Sequence, residues 1–364
     1  MSTWPDRRIL DLFRIEHPII QAPMAGPVLS EMVIAVAEAG GLGSMPTAQL
    51  TPDQTRAELA KIRQATKKPI NLNFFCHRPA SADPARDAAW RAKLAPFYRE
   101  LGVDPAAPVP SVNRSPFDDT LCRVIEEFRP EIVSFHFGLP EPALLERVRA
   151  AGAVIIASAT SADEARWLEA RGVQAIIAQG TEAGGHRGNF LAEDPAADCA
   201  TQAGTMALVP QVVDAVKVPV IAAGGIADAR GIVAAFALGA TAAQSGTAYL
   251  FCPEARVPPL HRAALKAAKD NTTALTNVFT GRPARSLVNR AARELGPLSS
   301  EAPAFPLAGN ALAPLKASAE AKGSADFSPL WSGQAARLGR EMPAGELTRT
   351  LAAEALGLLG RLAR

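Results

Sequence analysis

The amino-acid sequence predicts an α/β chain folded as a (β/α)8 TIM barrel, with a second, largely helical domain over its active-site face. Three observations carry this expectation: eight short runs of apolar or small residues, helical periodicity after most of those runs, and glycine-rich segments where several of them end. Strands alternating with helices are what a parallel sheet wrapped by helices requires. The 364 residues exceed the roughly 250 that a barrel alone needs.

In order, the runs are Pro18–Met24, Gly41–Thr47, Pro69–Phe75, Ile132–Gly138, Val154–Ala159, Ala175–Gly180, Pro219–Gly225 and Ala242–Leu250. Between them, Thr51-Pro52-Asp53-Gln54 and Ser161-Ala162-Asp163-Glu164 read as capping boxes that start helices, and Gly40, Gly172 and Gly239 stand where helices should stop. From Arg78 to Glu131 lie more than fifty residues rich in proline and charge, too many for a simple crossover. After the eighth run the chain continues for more than a hundred residues, with helical pieces at Leu260–Lys269 and Gly333–Leu362. The expected division is therefore a barrel of residues 1–77 and 132–259, with 78–131 and 260–364 forming an insertion and a helical lobe on the substrate side. Part of the C-terminal segment has the helical character to complete the barrel.

Composition narrows the function. Thirty-eight basic and 36 acidic residues give +2 without long runs of one sign, which argues against a nucleic-acid groove or a polybasic membrane patch. Cys76, Cys122, Cys199 and Cys252 lie far apart, without CxxC pairs or metal-ligand spacing to the five histidines, so no metal site is expected and a reduced setting fits. No apolar run approaches a membrane span, and the N-terminal residues lack a signal core. The expectation is a soluble, cytoplasmic protein, monomer or homodimer, whose partner is a small molecule.

The most informative stretch, Gln179 to Gly188 (QGTEAGGHRG), follows the sixth run. Glycines let backbone N–H groups approach a flat or anionic ligand, and the imidazole of His186 is suited to moving a proton near neutral pH. A flexible loop with a solvated histidine is the plainer reading, but the end of a barrel strand favours function. Ala222-Ala223-Gly224-Gly225-Ile226 and Gln244-Ser245-Gly246-Thr247 end the seventh and eighth runs, where barrels commonly bind phosphate, so a phosphorylated cofactor is implied. On the third run Asn71 and Asn73 share the inward face, opposite Leu72 and Phe74. The fourth directs either His136 or its flanking phenylalanines inward. Gln21-Ala22-Pro23-Met24 would let main chain lie beside a flat ring. His77 and the basic segment Gly281–Ser286 have two readings, a place near the same mouth or solvated surface, of which the second is favoured.

With these residues in hand the chain resembles the nitronate monooxygenase family, from about Pro18 to Asn289. QAPMAG, NLNFFCH, SFHFG, GTEAGGHRG, PVIAAGGI, QSGTAYL and FTGRPARS occur in that family's order and spacing, and NFFCH with EAGGHRG resembles its bacterial class I members. The resemblance implies non-covalent FMN in the barrel. Carried over by position, Ala22, Pro23 and Met24 lie by the flavin ring, which Asn73 and Gln179 hydrogen-bond. Gly184, Gly185, Gly224, Gly225, Gln244, Gly246 and Thr247 hold the ring, the ribityl chain and the phosphate. His186 matches the catalytic histidine, and His136 lies in the substrate pocket.

The reaction so implied is oxidation of alkyl nitronates, such as propionate 3-nitronate, and of nitroalkanes after loss of the α-proton, by O2 to a carbonyl compound and nitrite. Flavin reductases that use NAD(P)H, acting on quinones or enoyl thioesters, share the barrel and a GGH loop and form the alternative. A non-catalytic flavin-binding barrel is the third reading.

Overall fold

The computed structural model describes residues 3–81, 83–106 and 115–363. In chain order its strands are β1 (Ile19–Gln21), β2 (Gly43–Pro46), β3 (Ile70–Phe75), β4 (Ile132–His136), β5 (Val154–Ala159), β6 (Ala175–Gln179), β7 (Gly185–His186), β8 (Val220–Ala223), β9 (Ala242–Ser245), β10 (Thr273–Thr276) and β11 (Ala284–Leu287). Eight of them pair in the order β1-β9-β8-β6-β5-β4-β3-β2, and every pairing is parallel. The ring closes at Leu42, which forms a parallel bridge with Ile20. Leu42 N donates to Ile19 O at 2.9 Å, and Gln21 N donates to Leu42 O at 3.0 Å. Closure removes the sheet edges.

All eight expected runs contain a barrel strand. The last is shorter than expected: it stops at Ser245, because the chain turns at Gly246 into the 3-10 helix Thr247–Phe251. Register aligns the strand ends that matter. Gln179 lies beside Ala223, and Ala223 beside Gln244, so residues from three neighbouring strands share one level of the rim. Gly40, Gly172 and Gly239 follow helices with positive φ. The Thr51–Gln54 capping box forms in both directions. At Ser161 only half forms: the hydroxyl accepts from Glu164 N, while the Glu164 carboxylate accepts from Thr160 N, Phe190 N and Leu191 N. A residue read as a local cap thus ties two loops together.

A second apolar cluster lies outside the barrel. There helix Pro84–Leu101 packs on helix Ala308–Ala321 through Trp90, Leu94, Phe97, Leu312 and Leu315, with Trp90 Nε1 donating to Ala308 O at 3.1 Å. Not all of the segments 78–131 and 260–364 belong there. Helix Asp119–Phe128 packs against the barrel helices Pro52–Ala65 and Pro142–Ala150, and helix Ala344–Leu362 lies across Ser30–Glu38 and Ala229–Ala237. Their apolar residues, Val124, Ile125, Leu347 and Leu351 among them, join the barrel core. The lobe is also not purely helical, since β10, β11 and β7 form an antiparallel sheet over the strand ends. Among the described residues no helix is long and apolar enough to cross a membrane.

Candidate active site

The carboxyl ends of the barrel strands enclose a cavity of about 450 Å³, within the range usual for small-molecule sites. Every site residue expected from the sequence lines it. Ala22, Pro23 and Met24 come from the segment after β1, Asn73 from β3, His136 from β4 and Gln179 from β6. Gly184, Gly185 and His186 come from the following loop, Gly224 and Gly225 from the turn after β8, and Gln244, Gly246 and Thr247 from β9 and its continuation. Asn71 lies one residue pair deeper, where its Nδ2 donates to Ser44 Oγ at 3.0 Å.

The histidine loop is a strand, not a free loop. His186 lies opposite Ala284 and Gly185 opposite Arg285, so β11 fixes the height of the imidazole over the barrel. The carbonyl of His186 accepts from Gln179 Nε2 at 3.0 Å and from His136 Nε2 at 3.2 Å. Gln179 Oε1 accepts from Gly188 N at 2.8 Å, so this side chain spans the loop from both sides. The imidazole is ringed by aromatics. Centroids of Phe305, Trp331, Phe137 and Phe75 lie 5.2, 5.3, 6.1 and 6.2 Å from its own.

His136 is neutral. Burial, with the charges of Arg282 and Arg187 adding to it, holds its pKa at about 3. Its Nδ1 lies 2.6 Å from Ser158 Oγ, and its Nε2 must carry hydrogen to donate to the His186 carbonyl. His261, whose Nε2 donates to Trp331 O, is likewise held at about 4, chiefly by burial. Between about pH 6.5 and 4 the unfolded chain therefore binds protons at these two positions that the folded chain refuses. Stability from this source is complete above pH 6.5 and is lost on acidification, by about 2 kcal/mol per histidine at pH 5. Urea unfolding at pH 7 and pH 5 should show this loss, smaller in His136→Gln. An unchanged pH dependence in that variant would refute the assignment of His136 as a buried neutral base.

One cavity group asks for a ligand. Gln244 Oε1 is buried and has no hydrogen-bond partner among the described residues, an arrangement that native interiors avoid unless another molecule supplies the donor. Nearby, Gly224 has φ +122°, and a Cβ there would stand 2.7 Å from Thr205 Oγ1. The turn after β8 can pack against Thr205 and the Gly180–Ala183 backbone only because no side chain is present.

The sequence did not single out Arg187, and it favoured solvated surface for His77, Arg282 and Arg285. Arg187 is fully buried, gripping the carbonyls of Gly180 and Gln179 at 2.6 and 2.7 Å and Gln202 Oε1 at 2.7 Å. Arg282 covers the Phe137 ring at 4.2 Å, and Arg285 Nε donates to Thr181 O at 2.7 Å. The segment Gly281–Ser286 is thus not the solvated surface expected from its charge. His77 is also buried, its ring 4.8 Å from that of Phe305. The available signal was a pair of β-prone runs, Thr272–Thr276 and Ala284–Leu287, on either side of a Gly-Arg-Pro turn.

A parallel barrel that closes a histidine, a neutral imidazole and an unsatisfied amide around one cavity at its strand ends is a barrel enzyme for a small organic substrate. Residues 6–354 match the family model described as nitronate monooxygenase. A nitronate monooxygenase of Pseudomonas aeruginosa is 44% identical over 356 residues, spanning 96% of this chain and 99% of that one. The crystal structure of nitroalkane oxidase from Streptomyces ansochromogenes superposes with a TM-score of 0.87 at 39% identity, covering 98% of this chain and 99% of that chain. FabK from Thermotoga maritima superposes less closely, with a TM-score of 0.74 at 29% identity and 99% of each chain covered. The chain belongs to the nitronate monooxygenase family and is an oxidoreductase of that family.

Proposed function

We propose that the cavity holds FMN and that the chain oxidises alkyl nitronates, propionate 3-nitronate among them, with O2 to a carbonyl compound and nitrite. The observation that carries this reading is that His186 and the unsatisfied Gln244 Oε1 line one cavity with the glycine turn after β8. When bound, the flavin supplies the electron acceptor for the substrate and the reductant for O2. Gly224, Gly225, Gly246 and Thr247 hold the phosphate end, and Gln244 Oε1 accepts from an N–H or O–H of the cofactor. Asn73, Gln179, Ala22, Pro23 and Met24, which line the same cavity, would hold its ring.

His186 stands on the substrate side. A nitronate arrives without its α-proton, so the imidazole has only to orient it. A neutral nitroalkane must first lose that proton, and His186 takes it. His136, neutral and turned to the His186 carbonyl, holds the base in place and offers its ring to the pocket.

Electron supply separates this reading from the reductase alternative. A nitronate brings its own electrons, so oxygen uptake and nitrite release should begin on adding propionate 3-nitronate alone, without a nicotinamide. Denaturation of the yellow protein should release a species with the mass of FMN. Background oxygen uptake with every nitronate, together with fast bleaching by NAD(P)H, would overturn the reaction; release of FAD would overturn the cofactor.

A further inference from the structure

Among the rings around His186, one stands apart. Phe75, Phe137 and Phe305 pack on one another, with centroids 4.8 to 6.5 Å apart. Among the described residues the ring contacts of Trp331 are with His186 at 5.3 Å and with Phe279 of the lobe at 5.7 Å, the latter edge-on at 86°. Trp331 is half-buried and lines the cavity together with Pro329, Leu330 and Leu260. The lobe therefore supplies an apolar boundary to the cavity beside the imidazole.

The backbone that carries this indole is fastened at successive residues. Leu330 N donates to Ser286 Oγ at 3.2 Å, and the Trp331 carbonyl accepts from His261 Nε2 at 3.1 Å. Ser332 N donates to Arg285 O at 3.3 Å, and Gly333 N donates to Thr247 Oγ1 at 2.8 Å. A Cβ on Gly184 would stand 2.5 Å from Gly333 N, so the histidine loop and this strap touch. Backbone bonds on one side and Phe279 on the other make the indole a fixed wall. A substrate whose reacting carbon lies at His186 must send its alkyl group toward apolar surface, and a rigid apolar pocket discriminates about tenfold or more per methylene that does not fit.

We propose that Trp331 is the residue that sets the alkyl-chain length of the substrate, closing the pocket on short, unbranched nitronates. The proposal rests on the reading of His186 as the substrate side of the cavity. The test measures kcat/KM by oxygen uptake for preformed straight-chain nitronates from ethyl to hexyl, in the flavin-loaded parent, Trp331→Phe and Trp331→Leu. The parent should lose at least about tenfold where the chain meets the wall. In Trp331→Leu that loss should move to a longer chain, and in Trp331→Phe, which keeps a ring against Phe279, it should move less. Calorimetric titration with straight-chain carboxylates, flat anions shaped like the nitronate group, should show the same break and the same displacement without turnover. A length profile unchanged in both variants, or a loss equal at every length, overturns the proposal. So does loss of flavin from both variants, which would make Trp331 part of the cofactor's own site. A parent inert to every nitronate overturns the functional reading instead, and the carboxylate titrations still decide whether Trp331 is the wall.

Discussion

His186→Asn should lower kcat/KM for neutral nitroalkanes by about 10² to 10⁴-fold, the usual worth of a general base, and leave preformed nitronates far less affected. The contrast follows from what each substrate needs: one must give up a proton, and the other has already lost it. Asparagine approximates the imidazole's size and keeps a hydrogen-bonding group near Thr280, so the loop should stay paired to β11 through its backbone. Steady-state rates on a nitroalkane and its nitronate, measured side by side, give the answer. Equal losses would make His186 an orienting group and require another base.

Gly224→Ala should yield a protein with at least tenfold weaker flavin binding, purified pale or colourless. At φ +122° an alanine is strained whatever the space, and such backbone costs on the order of 1–3 kcal/mol. The added methyl would also stand 2.7 Å from Thr205 Oγ1, whose single proton has Glu182 Oε2 at 2.8 Å and Gly224 O at 3.0 Å within reach. The turn after β8 would have to move, and with it the amides proposed to hold the phosphate. Flavin absorbance per chain and a titration of apoprotein with FMN measure the effect. Parent-like occupancy would remove this turn from the binding site.

Most of the barrel was legible because its signals are local. Short apolar runs, Thr51 before Gln54, and glycines after helices each act over a few residues, and the strands appear in the order read from them. The inward face of β3 was also readable, since alternation alone separates Asn71 and Asn73 from Leu72 and Phe74. What stayed hidden depends on residues distant in the chain. Arg187 looks like a surface arginine until the carbonyls of Gln179 and Gly180 and the amide of Gln202 surround it. Arg282 and Arg285 look solvated until β11 pairs with β7 and carries them under the lobe. Helix Asp119–Phe128 follows a long insertion, and nothing local shows that it returns to the barrel ring.

The seam of the barrel has a consequence for how the chain reaches this form. Between β1 and β2 the closure has one bridge, at Leu42, and the helix Ala344–Leu362 lies across it, with Thr348 hydrogen-bonded to Tyr249 at 2.8 Å and within van der Waals reach of Gly41. During synthesis that helix emerges about a hundred residues after β9. Until then the ring is complete in sequence yet unfastened at the seam between β1 and β2, and the two sides of that seam can breathe apart. Fastening is a contact across some three hundred residues of chain, the kind of long-range closure that slows folding. The emerging protein should therefore spend its most aggregation-prone interval with a nearly finished barrel open along a single line.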